Sequence, residues 1–422
     1  MNRIFKWVCV FVLSGLALQT QAQTDDDDLQ DIHNAQSNKI VLRPTDWFTP
    51  KDPIFPKTTF KARYKVAAFV PFFLDSVFRG GNLPRVQLPK YVYPGLEFYQ
   101  GMMLAIDSLN KTRMPIDLYV YDSKDRYKSI PSLIRNNTLQ QMDLIIGAVN
   151  AEEVNDLAAY AQKQRINFVS AVSPQDAGMF FNPYFTILYP RLTEHCEALR
   201  EYINEKFRNE KIWIIKRKGA QMDETAIKYF KEASKKNPVI AEIEYSSEMT
   251  AEFLASKLDP EDDNVIFVPV LDLKTSKEIV RRIYGMGDSI KVHVFGMPTW
   301  DGMELEFQNK TNMQNDIFVY YSTSLYENYN PENNSDFRSK YKKQYGSWPG
   351  TQAYTGFETM MYYARLLREN GVYFNKDYRD YKKGILTEYR IRPVIEDGEF
   401  RYFMNTRLFL KQYNNGVLNI VN

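Results

Sequence analysis

The sequence predicts an α/β protein built of two doubly wound parallel-sheet lobes. Three observations carry that expectation. Apolar runs of strand length alternate with amphipathic helical stretches, the strands lack a clean two-residue alternation, and the pattern starts afresh at Thr193. Strands covered by helices on both faces read in this way. A chain of 422 residues also exceeds the usual capacity of one core, so two domains are expected.

The opening unit sets the pattern. Tyr64 to Phe73 (YKVAAFVPFF) is a continuous apolar run of strand length. Within Lys90 to Asn110, apolar residues recur at Leu96, Phe98, Tyr99, Met102, Met103, Ile106 and Leu109, in steps that predict a helix with a wide buried face. Pro94 suits its first turn, and Glu97 lies beside its positive end. Ile116 to Tyr121 (IDLYVY) is the next strand, and strand, helix and strand at this spacing demand a parallel pair.

The first lobe continues with a helix around Ser129 to Gln140, strand Asp143 to Val149, helix Glu152 to Gln164, and strands Ile166 to Ser170 and Tyr184 to Tyr189. From Thr193 the order is helix Glu194–Phe207, strand Lys211–Ile215, helix Glu224–Lys235, strand Val239–Tyr245, helix Ala251–Leu258, strand Val265–Val270, helix Ser276–Tyr284 and strand Lys291–Phe295. Strand Asp316–Ser324 precedes helices Ser335–Tyr345 and Thr351–Glu369. The tail reads as short antiparallel strands at Phe400–Phe403, Thr406–Gln412 and Val417–Val421, around turns at Glu396-Asp397-Gly398 and Asn414-Asn415-Gly416.

Residues 1–22 read as a secretory leader: Arg3 and Lys6 precede an apolar run from Trp7 to Leu18, and cleavage is expected after Ala22. Residues 23–59 begin acidic and then carry Pro44, Pro50, Pro53 and Pro56, as an extended arm would. Removing the leader takes the formal charge from +2 to zero, which gives no support for nucleic-acid binding. Cys196 is then the only thiol, so no intrachain disulfide is expected. No later stretch is long and apolar enough to insert in a membrane. His33, His195 and His293 have no catalytic neighbourhood, and no P-loop, G-x-G-x-x-G, H-E-x-x-H or G-x-S-x-G motif is present, so neither an enzyme nor a cofactor is expected.

Two doubly wound lobes place the loops from the carboxyl ends of their strands beside a crevice, where ligands of open α/β sheets bind. Asn150 and Ser173 fall at such strand ends, either to meet a ligand or to cap the following helix. Asp272 has the same two roles open to it. Trp300, in a strand-exit loop, offers a rigid face for stacking on a ligand or for packing across the hinge. Of Phe72 and Phe73 one belongs to the core and one lines the cleft, with Phe73 the candidate; of Tyr320 and Tyr321 only one can face the cleft, with Tyr321 the candidate.

In order and spacing, VAAFVPFF, PGLEFYQGMMLAID, DLIIGAV, INFVSAVSP, VIFVPVLD, FGMPTWD and AYTGFETMMYYARLL make the chain resemble the type I periplasmic binding proteins, the family of the branched-chain amino-acid receptors of ABC importers. The likeness runs from about Tyr64 to Asn422, and FVPFF, PGLEFYQG and GMPTW look most like variants common in Bacteroidetes envelopes. It implies three crossings between lobes, near Arg191, near Glu327 and between Gly371 and Arg392. Lobe one then takes 60–190 plus 328–375, and lobe two 191–327 plus 376–422. It implies an exported, periplasmic solute-binding protein that closes like a hinge on a small polar, amino acid-like ligand and meets a membrane permease.

In that family, hydroxyl groups after the third strand hold a carboxylate; here Asn150, Ala151, Glu152 and Glu153 stand there, and no serine or threonine. The second ligand loop fits better, with Ser170, Ser173 and Asp176. The altered first loop opens an alternative: a non-transport envelope scaffold on the same fold, with an envelope protein complex as its partner.

Overall fold

Strand β1, Tyr64–Val70, shows why its sequence is apolar throughout. Val66, Ala68 and Val70 enter one core, while Ala67 and Phe69 enter another on the opposite face of the sheet. A computed structural model of the protein describes residues 55–78, 87–112, 114–207, 211–234, 238–287, 290–303, 316–325, 331–382 and 384–422. The leader at 1–22, His33, most of the arm and Glu327 lie outside these residues.

The first lobe adds β2 (Ile116–Asp122), β3 (Leu144–Gly147), β4 (Asn167–Ser170) and β5 (Phe185–Ile187). The second is built on β6 (Ile212–Arg217), β7 (Ile240–Tyr245), β8 (Asn264–Phe267), β9 (Val292–Gly296) and β10 (Ile317–Thr323). The tail supplies β11 (Ile391–Glu396), β12 (Glu399–Asn405), β13 (Phe409–Asn414) and β14 (Val417–Ile420). Two seven-stranded sheets result, ordered β11-β12-β5-β4-β3-β1-β2 and β14-β13-β10-β9-β8-β6-β7. The strands β1 to β10 pair in parallel within their sheets, as crossover helices require. The two doubly wound lobes are therefore present.

The tail departs from expectation. Strands β11 and β12 join the first sheet, β12 running parallel to β5, and only β13 and β14 join the second. The sheets thus divide a tail that was expected to belong wholly to the second lobe. The last passage between sheets falls at 406–408, between β12 and β13, rather than between Gly371 and Arg392. Sequence reading overlooks β11 because Pro393 breaks the strand pattern; it sits where the β11–β12 register shifts, on an edge strand that tolerates a missing donor. Both expected tail turns form, with Asp397 and Gly398, then Asn415 and Gly416, at positive φ.

Helices Tyr93–Lys111 and Thr351–Asn370 pack backbone to backbone on the first sheet through Gly101 and Gly356. The second of these helices buries Glu358, whose carboxylate accepts from the Leu386 amide at 3.0 Å, the Thr387 hydroxyl at 2.7 Å and the Ile385 amide. Thr387 in turn bridges to Leu325, just beyond β10. Burial pushes the Glu358 carboxyl up to about 7, and burial together with the Glu358 charge in turn raises the Tyr381 and Tyr389 hydroxyls. The folded chain therefore holds this proton above the pH at which the unfolded chain releases it. Its stabilisation is full below about 4.5 and is lost as pH rises through about 7, by on the order of 3 kcal/mol in total. Denaturant titrations at stepped pH are expected to show this decline, and Glu358→Gln to flatten it; an unchanged slope in the variant contradicts the assignment.

Candidate functional site

In each βα unit the strand's carboxyl end and the next helix's amino end lie on the same side, so a site there is built from strand-exit loops. At the exit of β1, Phe73 adopts a left-handed conformation, φ 56°, at the start of a short helical turn. An aromatic residue rarely does so, and the cause is Asp122. This residue ends β2 in register with Val70, and its carboxylate accepts from the amides of Phe72 at 3.0 Å, Phe73 at 3.2 Å and Leu74 at 2.8 Å. The Phe73 ring meets Tyr91 edge-on at 4.9 Å, and the Tyr91 hydroxyl lies 2.9 Å from Ser76 Oγ.

At the exit of β3, Asn150 forms a capping box: its side chain accepts from the Glu153 amide, and the Glu153 carboxylate accepts from the Asn150 amide at 2.8 Å. The same carboxylate pairs with Lys124 at 2.7 Å. At the exit of β4, buried Ser170 donates to the Ser173 carbonyl at 3.0 Å, and Ser173 Oγ accepts from the Gln175 amide. Asp272, beyond β8, caps helix Leu273–Tyr284, accepting from the Thr275 amide at 2.8 Å and hydroxyl at 2.6 Å. Those bonds hold its carboxyl below the usual range. Phe73, Asn150, Ser173 and Asp272 thus stand at strand exits with solvent access.

Trp300 and Tyr321 do not. Trp300 is fully buried in the core of the second lobe, donating to the Val270 carbonyl at 3.4 Å and covering Gly296, where a Cβ would lie 2.1 Å from the indole. The expected stacking face is therefore occupied by the protein itself. Tyr321 is buried in the same core, beside Lys411, and Tyr320 is buried too, stacked on Phe295 at 4.5 Å. The alternation along β10 holds, but both of its faces are covered.

The passages between sheets carry polar groups that sequence reading missed. Arg191 pairs with Glu194 at 2.7 Å and Glu396 at 2.8 Å and donates to the Tyr402 hydroxyl at 2.9 Å, tying helix Leu192–Lys206 to the β11–β12 hairpin. Lys411, only 1% exposed, pairs with Asp301 at 2.7 Å, and Asp301 accepts from Thr323 at 2.9 Å. The Tyr189 hydroxyl is pushed up to about 12 by desolvation and by the Asp301 charge, and it bonds Thr355. His195 is buried against Ser322 at 2.8 Å, its imidazole pulled down to about 4 by burial, so it is neutral at physiological pH. Asp122 gave a weak signal in sequence, a polar residue closing an apolar strand; Tyr91 and Lys411 gave none, because their placing depends on pairings far along the chain.

Among the described residues no group of histidine, cysteine, aspartate and glutamate is arranged to hold a metal ion, and no helix is long and apolar enough to cross a membrane. A surface depression lined by Lys211, Trp213, Asp259 and Asp263 lies at the amino ends of β6 and β8, the side away from the strand exits.

This architecture is that of a two-lobed binding protein, and comparison with known families agrees. A family model described as "Periplasmic binding protein" matches residues 91–378, so the chain belongs to that family. Its family and fold are those of non-catalytic binding proteins. Among solved structures, a putative branched-chain amino acid ABC transporter protein from Rhodospirillum rubrum matches with TM-score 0.61 at 12% identity, over 85% of this chain and 100% of that one. A branched-chain amino acid ABC transporter periplasmic ligand-binding protein from Burkholderia xenovorans matches with TM-score 0.55 at 13% identity, over 85% and 94%. An ABC transporter substrate-binding protein from Desulfitobacterium hafniense, in complex with Leu, matches with TM-score 0.53 at 15% identity, over 85% and 100%. At these identities the likeness is one of fold. No protein of curated function matches the sequence.

Proposed function

We propose that the protein is an exported solute-binding protein that captures a small polar ligand between its lobes, closes by bending where the chain passes between sheets, and presents the closed form to the permease of an ABC importer. The observation that carries this reading is the pair of sheets, each ending in strand-exit loops with accessible side chains, between which the chain passes near Arg191 and again at 406–408. Lobe one in this reading is 60–190 with 328–405, and lobe two 191–327 with 409–422. Phe73, Asn150 and Ser173 contribute from the first, and Asp272 from the second. The periplasm is its compartment, reached after cleavage near Ala22, and the FVPFF, PGLEFYQG and GMPTW segments support placing it among the Bacteroidetes variants of the family.

A second reading, an envelope interaction protein with a degenerate cleft, is favoured by one observation: in the loop after β3, Asn150 and Glu153 spend their side chains on each other's amides and on Lys124. Thermal denaturation of ligand-stripped protein against amino acids, small peptides, sugars and cell-wall fragments separates the two. A rise in melting temperature with one class supports solute binding. No rise with any, together with a stably co-purifying protein subunit, supports the second reading and contradicts the first.

A further inference from the structure

Resting on the solute-binding reading, we infer that the ligand meets the first lobe through a flat ring and brings no carboxylate to it. Five donors at these exits that could hold a carboxylate, the amides of Phe72, Phe73, Leu74 and Asn150 and the Ser170 hydroxyl, are already engaged. The amides of Phe72, Phe73 and Leu74 converge on one acceptor, as an anion nest does, but the acceptor is the chain's own Asp122, 8% exposed. The Asn150 amide is engaged by Glu153, and the Ser170 hydroxyl by the Ser173 carbonyl. A carboxylate entering here displaces bonds already made and meets Glu152 and Glu153 at the helix start.

Two of the acids, Asp122 and Glu153, are spent in the other sense as well. Asp122 is saturated by amides, including that of Lys124 at 2.9 Å, and Glu153 is paired with Lys124. What remains presented at the β1 exit is aromatic. Phe73 is held in its left-handed turn by Asp122, and Tyr91, at the amino end of helix Tyr93–Lys111 and 49% exposed, stands edge-on to it. Phe72 and Tyr99 make a second edge-on pair at 5.5 Å. Aromatic faces of this kind take the flat apolar side of another ring, either a sugar or an aromatic ring. Tyr91 is the contact residue, and Asp122 a positioning residue that sets Phe73.

The test equilibrates the ligand-stripped full mature chain with a periplasmic small-molecule extract and identifies what is retained by native and tandem mass spectrometry. The expected captive is a ring-bearing molecule without a carboxylate, its fragments distinguishing a sugar from an aromatic ring. Tyr91→Phe is expected to retain it, Tyr91→Ala to bind it at least tenfold more weakly with an unchanged melting temperature, and Asp122→Asn to weaken binding while the melting temperature stays near that of the parent. A retained amino acid or other carboxylate overturns the inference and leaves solute binding standing. Undiminished binding by Tyr91→Ala also overturns it, and an empty parent protein overturns both.

Discussion

Gly356→Val is expected to be among the most damaging single substitutions in the chain. Helices Tyr93–Lys111 and Thr351–Asn370 run antiparallel at this point, Phe98 against Gly356 and Gly101 against Ala353. A Cβ added at Gly356 would lie 2.0 Å from the Phe98 carbonyl oxygen, and one at Gly101 would lie 1.9 Å from that of Ala353. Both obstacles are backbone atoms of buried helices, so no side-chain rotation relieves them. Overpacking of a core generally costs about 1–3 kcal/mol, and here whole helices must separate, so we expect the upper end of that range or beyond. Thermal denaturation followed by circular dichroism reads the effect. A melting temperature unchanged from the parent contradicts the helix contact.

Asp301→Ala is the second. Lys411 is almost wholly buried and meets Asp301 at 2.7 Å; removing the carboxylate leaves an ammonium in the core of the second lobe without its counter-charge. Breaking a buried pair from one side costs about 3–5 kcal/mol, whereas replacing both partners by apolar residues is often close to neutral. The double variant Asp301→Ala with Lys411→Met is therefore expected to recover most of what the single variant loses. Urea denaturation of the parent, the two single variants and the double variant supplies the cycle, and additive losses would contradict the pair. Thr323 donates to the same carboxylate and the Tyr189 hydroxyl feels its charge, so the cost extends to the passage between lobes.

Much of the fold was legible because each lobe repeats one rule. The run at Tyr64–Val70 is apolar at every position since both faces of β1 are covered, and the same reasoning recovers β3, β4, β8 and β9. Helix caps were also legible: Asn150 and Asp272 occupy cap positions, which sequence reading named as one of their two roles. What was not legible depended on partners distant along the chain. Strand β11 hides behind Pro393, and the sheet that β12 joins is decided by β5, more than two hundred residues earlier. Trp300 looked like a ligand platform from its loop position, but Gly296 leaves room for the indole to fold back on its own strand. Tyr91 and Asp122 carried no motif; only the left-handed turn at Phe73 brings them to one place.

The most direct test of the account is small-angle X-ray scattering of the ligand-stripped protein before and after saturation with the molecule it retains from the periplasmic extract. Closure of two lobes about the passages near Arg191, after Thr323 and at 406–408 predicts a smaller radius of gyration in the loaded form. Identical scattering from stripped and loaded protein would contradict hinge closure.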